Sequence, residues 1–295
     1  MSDLPATSAV AAPAADEPDA LLIETPGAEE QPSGPPERLL KIAIPAGMLL
    51  LSLVIWQLYV MVFEVPTYIL PSPVVVVTAL WTDWGTLYPA LLVTLKITFM
   101  ALALALVGGV ALAVLLVQSR WIELALYPYA VILQVTPIVA IAPLILVYAS
   151  STQVALLICA FLVAFFPILS NMVQGLKSVD HNLLNLFELY GASRWQTLVQ
   201  LKLPAALPYF MAGLKIGGGL ALIAAVVAEF AAGSAGAGSG LAFRLLEAQY
   251  RLNIPRLFAA LVLLSLTGVA IFGVTSLISW LALRRWHESA LKREN

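Results

Sequence analysis

Apolar residues run along this chain in long blocks, broken by short polar or Gly/Pro-rich stretches. Crossing about 30 Å of hydrocarbon takes roughly 20 residues. Six blocks are long enough: about 40–63, 90–117, 122–148, 153–175, 206–231 and 257–283. The third is the least regular, because Pro128, Pro137 and Pro143 interrupt it. Such breaks survive in a membrane only where protein or a wet cavity satisfies the freed carbonyls. Between the first two blocks, Leu70-Pro71-Ser72-Pro73 opens an amphipathic stretch whose Trp81 and Trp84 suit the membrane interface. The pattern predicts an all-α membrane protein of about six transmembrane helices.

Composition agrees. With 61% hydrophobic and 11% charged residues, and a mean hydropathy of +0.94, an ordinary soluble domain is excluded. The net charge of −2 hides an asymmetry, since residues 1–37 hold eight acids and no base. That Ala/Pro-rich segment cannot bury enough apolar surface to order itself. It also lacks the basic opening of a signal peptide, so it is expected to be an uncleaved, disordered acidic tail. A membrane domain over 38–286 follows, then a short tail over 287–295.

Basic residues orient the blocks. With both termini inside, the inner side holds Arg38, Lys41, Arg120, Lys177, Arg194, Lys202, Lys215, Arg284, Arg285, Lys292 and Arg293. The outer loops hold Arg244, Arg251 and Arg256, and Lys96 lies within a block. Eleven against three satisfies the positive-inside rule and places the loop over 176–205 in the cytoplasm.

That loop carries the densest local punctuation in the chain. Asp180 is a helix N-cap, and a helix from His181 to Tyr190 follows. Leu183, Leu186, Phe187 and Tyr190 fall at i, i+3, i+4 and i+7 on it, one apolar stripe. Gly191 occupies the position where a helix end turns left-handed. Ser193 with Gln196 forms a capping box for a second helix, which is expected to end or kink near Pro204. The stripe has to lie against its own bundle, the lipid interface or a partner.

The inventory of reactive groups is short. No Gly-x-x-x-x-Gly-Lys-Ser/Thr run exists, so the chain holds no P-loop of its own. Cys159 is alone in an apolar block, and His181 and His287 are far apart, so neither catalysis nor a metal site is expected. Polar residues within the blocks are expensive in lipid and mark candidate pathways or structural contacts: Gln134, Thr136, Asn171 and Glu229. Glu229 precedes the Gly/Ser-rich run from Gly233 to Gly240. It is either a structural ion-pair partner for a base in the outer loop or part of a gate or pathway. Lys96 snorkels to the outer headgroups or contacts a substrate. Gly213, with Gly217, Gly218 and Gly219, offers a small surface for close helix packing.

Gly191, nine residues, then Leu201-Lys202-Leu203-Pro204 is similar to the coupling loop of ATP-binding-cassette (ABC) importer permeases. Ile69-Leu70-Pro71-Ser72-Pro73, the run Thr136-Pro137-Ile138-Val139-Ala140-Ile141-Ala142-Pro143-Leu144, and Val227-Ala228-Glu229-Phe230 resemble the nitrate, sulfonate and taurine importer group and its vitamin-precursor relatives. The likeness extends from Ile69 to about Trp286. It departs where that family opens its loop with Glu-Ala-Ala, because Asn185-Leu186-Phe187 stands there. The resemblance implies a type I importer permease fold with cytoplasmic coupling helices, in a bacterial inner membrane. It implies a homodimer with a second permease copy, two cytoplasmic ATPases that bind the ATP, and a periplasmic or extracellular substrate-binding protein. Lipid surrounds the chain; no nucleic acid and no cofactor of its own are expected. The coupling contacts would come from Leu183, Leu186, Phe187, Tyr190, Gly191, Ala192, Ser193, Arg194, Leu203 and Pro204. The competing reading is an ATP-independent channel or a membrane scaffold, in which the same loop only caps the bundle.

Overall fold

The structure, a computed structural model, describes residues 37–233 and 238–284. Nearly all of the expected acidic tail, the tail over 287–295, His287 and residues 234–237 therefore lie outside the described residues. Tertiary contacts divide the chain after Leu51. The first unit contributes the opening of α1 (Glu37–Val62), with Pro45 inside it and Ile44, Met48 and Leu50 exposed.

The second unit, from Ser52 on, holds the bundle. After α1 come α2 (Pro73–Thr82), α3 (Trp84–Gln118), α4 (Arg120–Val135), α5 (Ile138–Tyr148) and α6 (Thr152–Lys177). Then follow α7 (His181–Leu189), α8 (Arg194–Gln196), α9 (Leu203–Ala232), α10 (Leu241–Tyr250) and α11 (Ile254–Leu283). Among the described residues every regular element is helical. Five spans are long and apolar enough to cross a membrane, within α1, α3, α6, α9 and α11. The pair α4 and α5 makes a sixth, bent by 100° at Thr136–Pro137. The six apolar blocks are thus all found, and the proline-rich third is the broken one.

Side-chain caps set the helix starts. Ser72, Ser119 and Ser151 accept backbone N–H bonds at the openings of α2, α4 and α6, taking donors that the first turn leaves unpaired. Pro204 does not stop a helix. The chain passes from α8 through a π-helical turn, Thr197–Lys202, directly into α9, with Pro204 in its first turn. A proline ring collides with the carbonyl four residues back. The wider turn and the missing-donor position at a helix start absorb that conflict.

The core centres on α6, which packs against α3 on one side and α9 on the other. Small residues set the approach. A Cβ on Gly175 would lie 2.9 Å from Ala206 Cα, and one on Gly213 would lie 3.2 Å from Ile168 Cα. Gly217 and Gly218 face Ile168 and Thr275 as closely, whereas Gly219 has open space beside it. Cys159 is buried among Ile97, Leu156 and Ala228 as a small core residue. Buried hydroxyls of Thr98, Thr267 and Thr275 donate to carbonyls one turn back, so they enter the apolar interior already satisfied.

Alternation of the spans gives the bundle two ends. The end of α3, the start of α4, the end of α6, then α7, α8 and the start of α9 lie at one. The start of α3, the start of α6, the end of α9, then α10 and the start of α11 lie at the other.

Candidate coupling and translocation sites

At the first end, local chemistry builds α7 as its sequence requires. Asp180 Oδ1 accepts from Asn182 N–H at 2.8 Å. Gly191 has φ +69°, and Ala192 N–H reaches back to Phe187 C=O at 2.9 Å while Gly191 N–H bonds Glu188 C=O. Those bonds close the helix in the manner of a Schellman cap. The capping box of α8 is complete: Gln196 N–H donates to Ser193 Oγ at 3.2 Å, and Ser193 N–H donates to Gln196 Oε1 at 2.7 Å. Leu198, in the turn that follows, is buried in the core beside Leu169 and Leu176, with Leu203 against it.

By contrast, no residue of α7 is buried. Leu183 and Leu186 are nearly half exposed, Tyr190 is 83% exposed and Trp195 70%. Phe187 is half-buried, and Ser193 and Arg194 are exposed. The opposite side of α7, through Leu184 and Glu188, borders a cavity of about 460 Å³ that separates it from the end of α3. The helix is therefore held by its caps and its two connections. Leu183, Leu186, Leu189 and Tyr190 stand exposed in the single chain.

At the other end, Glu229 is fully enclosed, 2% exposed, near the end of α9. Its Oε1 accepts from Thr94 Oγ1 at 2.8 Å and its Oε2 from Ala242 N–H at 2.9 Å. Thr94 Oγ1 in turn accepts from Leu241 N–H at 2.9 Å. Two long helices thus cap a third, because α10 has no side-chain cap of its own. Gly240 makes this possible: a Cβ there would fall 2.0 Å from Glu229 Oε1. The ion pair with an outer-loop base, one of the two readings open for Glu229, is not found among the described residues. Arg244 and Arg251 pair with Glu247, and Arg256 grips Asp83 with two bonds of 2.6 and 2.7 Å. Bonds from Arg244, and the charges of Arg251 and Arg256, hold the Glu247 carboxyl below its usual range. Thr94 escaped the sequence reading, since a lone threonine in a span gives no signal until α10 is folded back over it.

The four polar span residues are not brought together, and no hydrogen bond joins any two of them among the described residues. Thr136 Oγ1 donates to Ile132 C=O at 2.7 Å, and Asn171 Nδ2 to Pro167 C=O at 2.8 Å. Gln134 is exposed. Lys96 lines a cavity of about 390 Å³ between α3 and the opening of α6, with Ser151 and Gln153 across from it.

Residues 105–287 match the family described as the binding-protein-dependent transport system inner membrane component. The chain belongs to that family. It is a permease of the ABC-importer class, and it spans a membrane several times. A riboflavin transport system permease of Chloroflexus aurantiacus is 34% identical over 84% of this chain and 91% of its own. A formylaminopyrimidine transport permease of Halalkalibacterium halodurans is 32% identical over 76% and 88%. A sulfonate transport permease of Escherichia coli, described as putative, is 30% identical over 78% and 86%. The fold is also that of a crystallised amino acid ABC transporter, with a TM-score of 0.54 at 17% identity over 64% of this chain and 91% of that one.

Proposed function

We propose that this permease couples to cytoplasmic ABC ATPases through α7, Gly191 and α8, and that two copies enclose the route of a small heterocyclic solute. The unburied apolar stripe of α7 carries this reading. A helix that fully buries no residue against its own bundle gains little from packing there; a groove on an ATPase would supply the missing contact, in the helix-in-groove mode. Leu183, Leu186, Phe187 and Tyr190 form the docking stripe. Gly191, Ala192, Ser193 and Arg194 form the hinge, and Leu203 and Pro204 pass movement into α9. ATP is bound and hydrolysed by the partner chains, and an external binding protein delivers the substrate.

The relatives at 34% and 32% identity are permeases for riboflavin and formylaminopyrimidine, which favours a heterocycle over a bare inorganic anion. Lys96 and Gln153 offer donors to its carbonyl oxygens at the outer mouth, and Gln134, exposed before the break, offers an amide further along. Thr136 and Asn171 shape the same route by bonding within their own helices, and Glu229 by seating α10 against α3 and α9.

The charge distribution favours both termini in the cytoplasm of a bacterial inner membrane. Cysteines at Ser193 and Tyr250 should then label from opposite sides. The coupling reading is tested by purifying Leu186→Asp, Phe187→Asp and Gly191→Val from membranes, quantifying bound ATPase and measuring ATP-driven uptake of riboflavin and formylaminopyrimidine in proteoliposomes. The expected outcome is an inserted dimer that loses its ATPase or hydrolyses ATP without uptake. Normal ATPase retention and normal uptake in all three variants would reduce the loop to a passive cap.

A further inference from the structure

The α7 end holds a second cavity, about 610 Å³, and its charged lining is mostly of one sign. It lies where α3 and α6 end and α4 and α7 begin. Arg120, Lys177, His181 and Lys202 line it against a single carboxylate, Glu123. That carboxylate is engaged already, in an ion pair with Lys177. Arg120, His181 and Lys202 form no side-chain hydrogen bond or ion pair with any described residue. Two permanent positive charges therefore share one recess without compensation, and His181 adds a third when protonated.

The recess lies at the ends of three membrane-spanning elements, where a lipid headgroup would reach it. Its apolar wall includes Leu116 and Leu124, and Leu124 with the neighbouring Trp121 is exposed on the outer surface of α4. A cationic recess that opens beside an apolar helix face suits a molecule with an anionic head and a hydrocarbon tail. Arginine's planar fork matches phosphate oxygens in pairs, and a lysine adds a point charge.

We propose that this recess binds the phosphate of an anionic phospholipid, with Arg120 and Lys202 on its oxygens and Leu124 along the acyl chains. Because Arg120 opens α4 and Lys202 lies in the π turn leading into α9, the headgroup bridges the broken span to the root of the α7–α8 segment. The site depends on membrane insertion alone and stands whether or not α7 docks an ATPase.

The test uses the full-length chain in detergent, with phosphatidylglycerol, phosphatidylcholine and inorganic phosphate as probes, read by native mass spectrometry and a fluorescent-lipid titration. Phosphatidylglycerol should be retained over phosphatidylcholine, and Arg120→Gln with Lys202→Gln should weaken it about tenfold or more, the loss expected for charge-assisted bonds. Arg120→Lys keeps the charge but loses the paired bonds, so its affinity should fall between those of wild type and Arg120→Gln. Arg251→Gln, at the opposite end, should change nothing. If the double variant fails to fold, the single variants decide, each expected to lose affinity by about threefold. Equal phosphatidylglycerol binding in wild type and variants, or no preference between the two lipids, overturns the proposal. Displacement by inorganic phosphate at matched affinity overturns the lipid as its source and assigns the recess to a soluble phosphate.

Discussion

Two short amphipathic helices join the long spans of this permease, and they are held in opposite ways. The helix α10 is fastened into the bundle by Glu229 and Thr94, beneath a glycine that leaves no room for a side chain. Beyond it, Arg256 ties the root of α11 to Asp83. The helix α7 is finished by local caps and has no fully buried residue. One end of the molecule is fastened through buried side-chain bonds, and the other through local caps and connections. Burial, more than helix quality, separates the two, since both helices are well capped.

That contrast can be broken most severely at Gly240. Gly240→Val places carbon where the Glu229 carboxylate lies, so α10 must leave its seat, at a cost of about 3 kcal/mol or more. Thermal unfolding in detergent should show a drop of several degrees, with early proteolysis in α10; a wild-type melting curve would mean that α10 is not seated. Next comes Glu229→Ala, which leaves the Ala242 N–H and the Thr94 hydroxyl without their acceptor and should cost about 1–3 kcal/mol. Glu229→Gln keeps an acceptor oxygen and should cost less than Glu229→Ala in the same melt.

At the α7 end the expected stability change is smaller still. Leu186→Asp should stay within about 0.5 kcal/mol of wild type, as surface substitutions do, while ATPase retention is lost. A melt that falls as far as that of Glu229→Ala would erase the difference between the two ends. The smallest effect is one of pH. The folded Glu247 carboxyl is held below its ordinary value. The stability this gives is therefore full above the unfolded value, about 4.3, and fades as pH falls through the folded one. It amounts to no more than about 1 kcal/mol at so shallow a site. Melting points from neutral to acid pH should fall more steeply for wild type than for Glu247→Gln, and parallel curves would remove Glu247 from the account.

Much of the α7 segment was legible because its rules are local. Asp180, Gly191, Ser193 and Gln196 each act within five residues, and each is found in the bond its type implies. The six spans were legible because length and hydropathy suffice. The α10 seat was not, since Thr94 and Glu229 lie far apart in the chain and meet through a hydroxyl that every span can hide. The ion-pair alternative for Glu229 assumed a charged partner, whereas the groups that reach its carboxyl are a hydroxyl and a backbone N–H. Pro204 was expected to end or kink the second helix: a proline forbids one hydrogen bond, and the regular helix is interrupted by the π turn at Thr197–Lys202 just before it, without the chain leaving the helix.

The broken third span sets a clock on assembly. Pro128, Pro137 and Pro143 carry no N–H, so the carbonyls of Leu124, Leu133 and Val139 lack their donors one turn on. The side chains of Leu124, Leu133 and Val139 are exposed in the lone chain, and that of Leu124 also borders the charged recess at the α7 end. In hydrocarbon each orphaned carbonyl costs several kcal/mol until another surface or trapped water covers it. A newly inserted copy is thus left with carbonyls that a second protein surface or trapped water has to cover. In pulse-chase, singly expressed chains should decay faster than chains made together with their full complement, and Pro137→Ala should lengthen the life of the solitary copy.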